Sequence, residues 1–248
     1  MKIGFKVFLR TENFEISTIE EILRSENALF KITKYGYTEP VRNKFEDDTK
    51  EVVEMYENNY SLILKGSNKF WLSSSIFPEG ISIWAGEVEL KETKVDSISE
   101  LINFVQLFSR NNQLLFGNIK SVEENDQKHK KVEGSGVGWE GASIWDFFEF
   151  LPGIYWYTIF GRELVNAIGR ENFDNIKGVV RTDPGDESLA FHLNEPIIPD
   201  DWQKRLAIEN EIAQIIRKDL FYNKETNKDN LSYPEKFKDY IMTFGPGY

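Results

Sequence analysis

The chain predicts an α+β fold, mainly antiparallel sheet layered with amphipathic helices. Three observations carry that expectation. The apolar segments are short, rich in aromatic and β-branched residues, and separated by turn chemistry. The helical segments each carry one apolar stripe. The regular β-α-β cadence and long apolar strands of a parallel doubly wound sheet are missing. Both halves of the chain end in a long amphipathic helix, which leaves room for two similar α/β halves, although no sequence repeat links them.

Ile3, Phe5, Val7 and Leu9 alternate with Lys2, Gly4 and Lys6, the period of a strand, and Phe8 suggests that both its faces are covered. Ser17 and Glu20 have capping-box spacing before a short helix with Ile19, Ile22 and Leu23 on one stripe, and strand character returns from Ala28 to Tyr35. After Pro40, the acids Asp47, Asp48 and Glu51 suit a helix amino terminus because they face its positive dipole end; Val52, Val53 and Tyr56 supply the stripe. Tyr60–Lys65, Phe70–Ile76 and Ile81–Leu90 read as an antiparallel meander with turns at Gly66-Ser67-Asn68 and Pro78-Glu79-Gly80. Ser97 with Glu100 opens a helix through Ile98, Leu101, Ile102, Val105 and Phe108, and a strand over Leu114–Ile119 follows.

Residues 121–141 change character, from a charged run to a glycine cluster, and are expected to connect a half spanning 1–120 to one spanning 142–248. The second half offers an aromatic segment from Trp145 to Phe160, a helix over Arg162–Ile168, and a hairpin turning at Asp183-Pro184-Gly185-Asp186 with Leu189, Phe191 and Leu193 alternating in its return strand. Asp200 or Asp201 caps a long helix whose wide apolar face includes Leu206, Ile212, Ala213 and Ile216. Beyond Lys224 a polar tail is expected to dock back through Phe237, Tyr240, Ile241 and Phe244.

Composition narrows the function classes. Forty-one acids against 30 bases give a formal charge of −11, which repels nucleic-acid phosphates and anionic membranes and favours a cationic partner. Nineteen Phe, 10 Tyr and 6 Trp provide ample core. Without cysteine there are no disulfides, thiol nucleophiles or sulfur-ligated zinc sites. The amino-terminal lysines interrupt any signal-like apolar run and no stretch is long enough to cross a bilayer, so a cytoplasmic location is expected.

Gly136-Val137-Gly138-Trp139-Glu140-Gly141 matches the dinucleotide-binding string, but no apolar strand precedes it, so it reads as connector. The only histidines are His129, in a lysine-flanked run that reads as solvated, and His192, pointing outward from a hairpin strand. No catalytic, cofactor-binding or metal site is expected. The densest acidic group is Glu46, Asp47, Asp48, Glu51, Glu54 and Glu57, read either as a soluble helix surface or as an acidic docking face. The aromatics Trp145, Phe147, Phe148, Phe150, Tyr155, Trp156, Tyr157 and Phe160 read as core, with one or two rings left at the surface.

Leu151-Pro152-Gly153-Ile154-Tyr155-Trp156, then Phe160-Gly161 and Leu164-Val165-Asn166-Ala167-Ile168-Gly169, resemble a segment of bacterial polymorphic-toxin immunity proteins of the type VI secretion kind. The hairpin Val179–Leu193, the turn Pro199–Trp202 and the helix running to Phe221-Tyr222 are similar in order and spacing, so the resemblance covers about residues 144–222. Its structural motif falls on Pro152, Gly153, Tyr155, Trp156, Phe160, Gly161 and Gly169; Arg162 stands where the family pattern has proline. The resemblance implies a cytoplasmic inhibitor that binds a cognate protein toxin, such as a nuclease, and blocks it without turnover or cofactor. Two other classes compete with it: a carboxylate-based hydrolase or transferase using a divalent metal near Trp139, and a non-catalytic scaffold or ligand-binding module.

Overall fold

In the computed structural model, which describes residues 1–12, 14–90, 95–133, 136–139, 141 and 144–222, β1 (Lys2–Arg10) runs through the middle of a ten-stranded sheet. Its alternation defines the two faces. Ile3, Phe5, Val7 and Leu9 are buried on the first face, and Phe8 and Arg10 are buried on the second.

After β1 come α1 (Ser17–Leu23), β2 (Ile32–Gly36), β3 (Asn43–Lys44), α2 (Thr49–Asn59), β4 (Ser61–Gly66), β5 (Trp71–Phe77), β6 (Ile81–Glu89), α3 (Val95–Asn111) and β7 (Leu114–Ser121). The chain continues through α4 (Val122–His129), a hairpin of β8 (Lys130–Glu133) and β9 (Gly136–Trp139), α5 (Ile144–Phe147), β10 (Tyr157–Phe160), α6 (Arg162–Ile168) and α7 (Arg170–Asp174). It then forms β11 (Val179–Thr182), β12 (Leu189–Leu193), α8 (Trp202–Arg217) and a 3₁₀ turn over Lys218–Leu220. The sheet order is β11-β12-β10-β7-β1-β6-β5-β4-β2-β3, with every pairing antiparallel.

Helices cover the two faces unequally along the sheet. On the first face, Phe5 meets Phe104 of α3 edge-on at 5.4 Å, and Trp84 packs on Phe108 of α3 and Tyr56 of α2. On the second face, Phe8 stacks on Phe147 of α5 at 4.0 Å and Phe160 meets Phe173 of α7 at 5.1 Å. Such ring pairs contribute roughly 0.5–1.5 kcal/mol each beyond their burial. The second-face layer belongs to the later half of the chain, and the same face of β4, β5 and β6 carries half-buried Ile63, Trp71, Ser73 and Ala85. From β1 the sheet runs outward as β6-β5-β4-β2-β3, whereas from β7 it runs as β10-β12-β11.

Several local expectations change on folding. The capping boxes do not form: α1 begins at Ser17 itself, whose Oγ donates to Glu15, and α3 begins at Val95 so that Ser97 lies inside it. The strand expected from Ala28 starts only at Ile32, because the Asn27 side chain accepts from the Leu29 N–H at 2.8 Å and its carbonyl from the Phe30 N–H at 3.0 Å, closing a turn. Residues 121–141 hold the last residue of β7, a helix capped by Ser121 Oγ accepting from the Glu124 N–H at 3.0 Å, and the β8–β9 hairpin. Gly136–Trp139 is therefore a strand, while Gly134 and Glu140 lie outside the described residues. The expected tail, with Phe237, Tyr240, Ile241 and Phe244, also lies outside them.

Candidate functional site

Asp201 accepts from the N–H groups of Gln203 and Lys204 at 2.9 and 3.2 Å and starts α8, whose buried side chains are Arg205, Glu209, Ile212, Ala213 and Ile216. The wide apolar face expected on this helix thus carries buried charges at its amino-terminal end, with Leu206 and Ile208 only half-buried. Helical spacing places Glu124 and Lys128 one turn apart on α4, opposite this charged end. Lys128 Nζ lies 3.3 Å from Glu124 Oε1 and 2.7 Å from Glu209 Oε2. Arg205 reaches Glu209 at 3.9 Å and Glu195 at 3.6 Å.

The Leu151–Trp156 segment closes over this network. The Ile154 carbonyl accepts from Lys128 Nζ, the Trp156 N–H donates to Glu124 Oε1 at 2.9 Å, and Trp156 Nε1 donates to the Glu195 carbonyl at 2.9 Å. The ring of Tyr155 has the ammonium of Lys120 4.4 Å and that of Lys128 4.0 Å from its centre. Its hydroxyl sits 2.6 Å from His129 Nε2. Burial first, and then the carboxylates Glu124 and Glu209, push the Tyr155 phenol well up. Burial likewise raises the Glu209 carboxyl to about 8, with Lys128 pulling against it and Glu124 adding to it.

His129 corrects the expectation of a solvated histidine, since it is only 1% exposed. Nothing in its lysine-flanked neighbourhood signals burial, because the groups that cover it, Tyr155 and Tyr222, come from distant segments. His192 is half-buried and stacks on Trp156 with centroids 5.1 Å apart. A cavity of 270 Å³ between α4 and α8 is lined by Lys128, His129, Gly153, Glu209 and Tyr222 among others. Among the described residues no group of three or more His, Asp or Glu side chains could hold a metal ion.

The motif residues act as geometry. Pro152 offers its carbonyl to the Tyr155 hydroxyl at 3.4 Å, and Gly153 takes a φ of +136° that side chains rarely adopt. Phe160 packs among Phe116, Phe173 and Phe191, and a Cβ on Gly161 would run into the Leu114 carbonyl of β7. Gly169, at φ +94°, joins α6 to α7. Arg162 pairs with Asp186 at 3.0 Å on the surface. Phe147, Phe148, Phe150, Trp156 and Tyr157 are all buried, and the side chain of Trp145 lies outside the described residues.

The acidic residues gather elsewhere, at α2 beside the β3 edge of the sheet. Glu46, Asp47, Asp48, Glu51 and Glu54 are exposed. Asp48 caps α2, accepting from the N–H groups of Lys50 and Glu51 at 3.0 and 3.3 Å, and Glu54 pairs with Lys50 at 3.5 Å. Burial, then the carboxylates of Glu51, Asp48 and Glu46, raise the Tyr35 phenol to about 12.

One antiparallel sheet between offset helical layers, pinned by a buried ion network, defines the molecule as an α+β protein. Its fold is similar to that of the Pseudomonas aeruginosa T6SS protein PA0821, with a TM-score of 0.54 and 12% identity over 96% of this chain and 80% of that one. At that identity the likeness is one of fold. No family model matches the chain, and no curated protein does.

Proposed function

We propose that the protein serves a bacterial type VI secretion system as a cytoplasmic immunity protein that binds a cognate toxin and blocks it without turnover. The observation that carries this reading is the likeness of fold to a T6SS protein across 96% of the chain. The resemblance of residues 144–222 to toxin-immunity proteins supports it independently. A negative surface steers a cationic partner, and the exposed acids of α2 give this inhibitor such a surface for a basic toxin.

Co-expression with the product of the adjacent gene, followed by affinity capture and a survival assay, tests the proposal. The expected result is a stoichiometric complex and rescued growth. Cells that die of the neighbouring toxin despite abundant folded protein would sink it.

A further inference from the structure

On the second face of the sheet, where Gly4 and Ala85 bring no bulk, a trough of 480 Å³ opens between β5 and α4. That volume lies within the roughly 300–1,000 Å³ of small-molecule sites. Lys6 and Lys120 line it together with Trp71, Glu87, Asn125 and Asp126. Register places Lys120 opposite Gly4 and Lys6 opposite Asn118, so the two lysines share this face.

Lys120 is only 8% exposed, and lysine is almost never so buried without an ionic partner. The acids around it are engaged with other cations. Glu87 pairs with Lys2 at 3.8 Å and accepts from Trp71 Nε1 at 3.4 Å, and Asp126 pairs with Lys130 at 3.1 Å. Glu124 holds Lys128 and the Trp156 N–H. Among the described residues Lys120 has no hydrogen-bond or ion-pair partner, and its ammonium lies 4.4 Å from the centre of the Tyr155 ring. Burial, and then the repulsion of Lys6, pull its pKa well down against the attraction of Glu124, a cost that a bound negative charge would offset.

We infer that this trough binds a small ligand bearing a carboxylate or phosphate group, with the anion on Lys120 and the body of the ligand against the Trp71 indole. The Asn125 amide supplies a further hydrogen-bonding group at the wall. The site is separate from the acidic face of α2, so its occupation and the capture of a toxin stand or fall independently.

Titration of the full chain with inorganic phosphate and with benzoate, by calorimetry and by NMR of the lysine side chains, tests the inference. Saturable binding of at least one probe is expected, with a shift of the Lys120 resonances. K120M weakens that binding roughly tenfold or more through loss of a charge-assisted contact, while K50M on α2 leaves it unchanged. Phosphate binding alone identifies an oxyanion site, and tighter benzoate binding identifies a carboxylate site that uses the indole wall. Absence of saturable binding by both probes overturns the inference, as does K120M binding like the wild type. Should K120M not fold, Lys120 resonances unmoved at saturation in the wild type overturn it equally.

Discussion

Lys128 stands between two buried carboxylates and donates to the carbonyl of Ile154, so one side chain joins α4, α8 and the strand approach at Trp156. Removing it leaves Glu124 buried without a cation and Glu209 with Arg205 alone, and K128M is expected to lower the unfolding free energy by about 3–5 kcal/mol in urea titrations. Glu209 gives a pH signature of definite sign. Its carboxyl is raised from 4.5 to about 8, so across that window the folded protein holds a proton that the unfolded chain releases. The stability from this group is complete below the lower value and is lost as pH rises through the upper one. E209Q removes the titration, and its stability relative to wild type should improve between about pH 5 and about pH 8 when unfolding is measured at both. The sequence shows Glu124, Lys128, Arg205 and Glu209 only as ordinary surface-type charges at helical spacing, because what desolvates them arrives from elsewhere in the chain.

At the scale of elements, junctions separate from caps. Gly161 turns β10 into α6 with its backbone against the Leu114 carbonyl, so G161A forces strand β7 to move and should cost about 3 kcal/mol or more. G153A meets no neighbouring atom and carries only the strain of its backbone angle, about 1–2 kcal/mol. Thermal unfolding of the two variants side by side distinguishes a collision from strain. The caps at Asp48 and Asp201 follow from sequence, since an acid before an apolar-striped segment has its acceptor where the free N–H groups point. D201A is expected to lose about 1 kcal/mol by chemical denaturation. The Ser17 and Ser97 boxes have the same spacing yet fail, because the residue before α1 is already helical and α3 extends past the serine.

For the whole molecule, the pairing of β7 with both β1 and β10 runs one hydrogen-bonded sheet through the early and late segments. Unfolding followed by tryptophan fluorescence, with Trp84 early and Trp156 late, should therefore coincide with the loss of far-ultraviolet circular dichroism in one transition. If the acidic face of α2 receives a basic toxin as proposed, replacing Glu46, Glu51 and Glu54 with lysine should slow association by roughly tenfold at low salt. Stopped-flow mixing over a salt series measures this, and rates unaffected by either change would remove the acidic face from the binding surface.

The α+β class, the β4–β6 meander, the β11–β12 hairpin and the aromatic core were legible in the residues themselves. Alternation, stripes and turn chemistry act within a few neighbours and survive in a linear string. Only the tertiary structure decided that the strands order as one sheet, that the helical layers sit on opposite faces, and that Arg205, Glu209, His129 and Lys120 are buried. Burial of a charged or titratable group depends on which distant segments close over it, and that is a property of three-dimensional packing that no local pattern encodes.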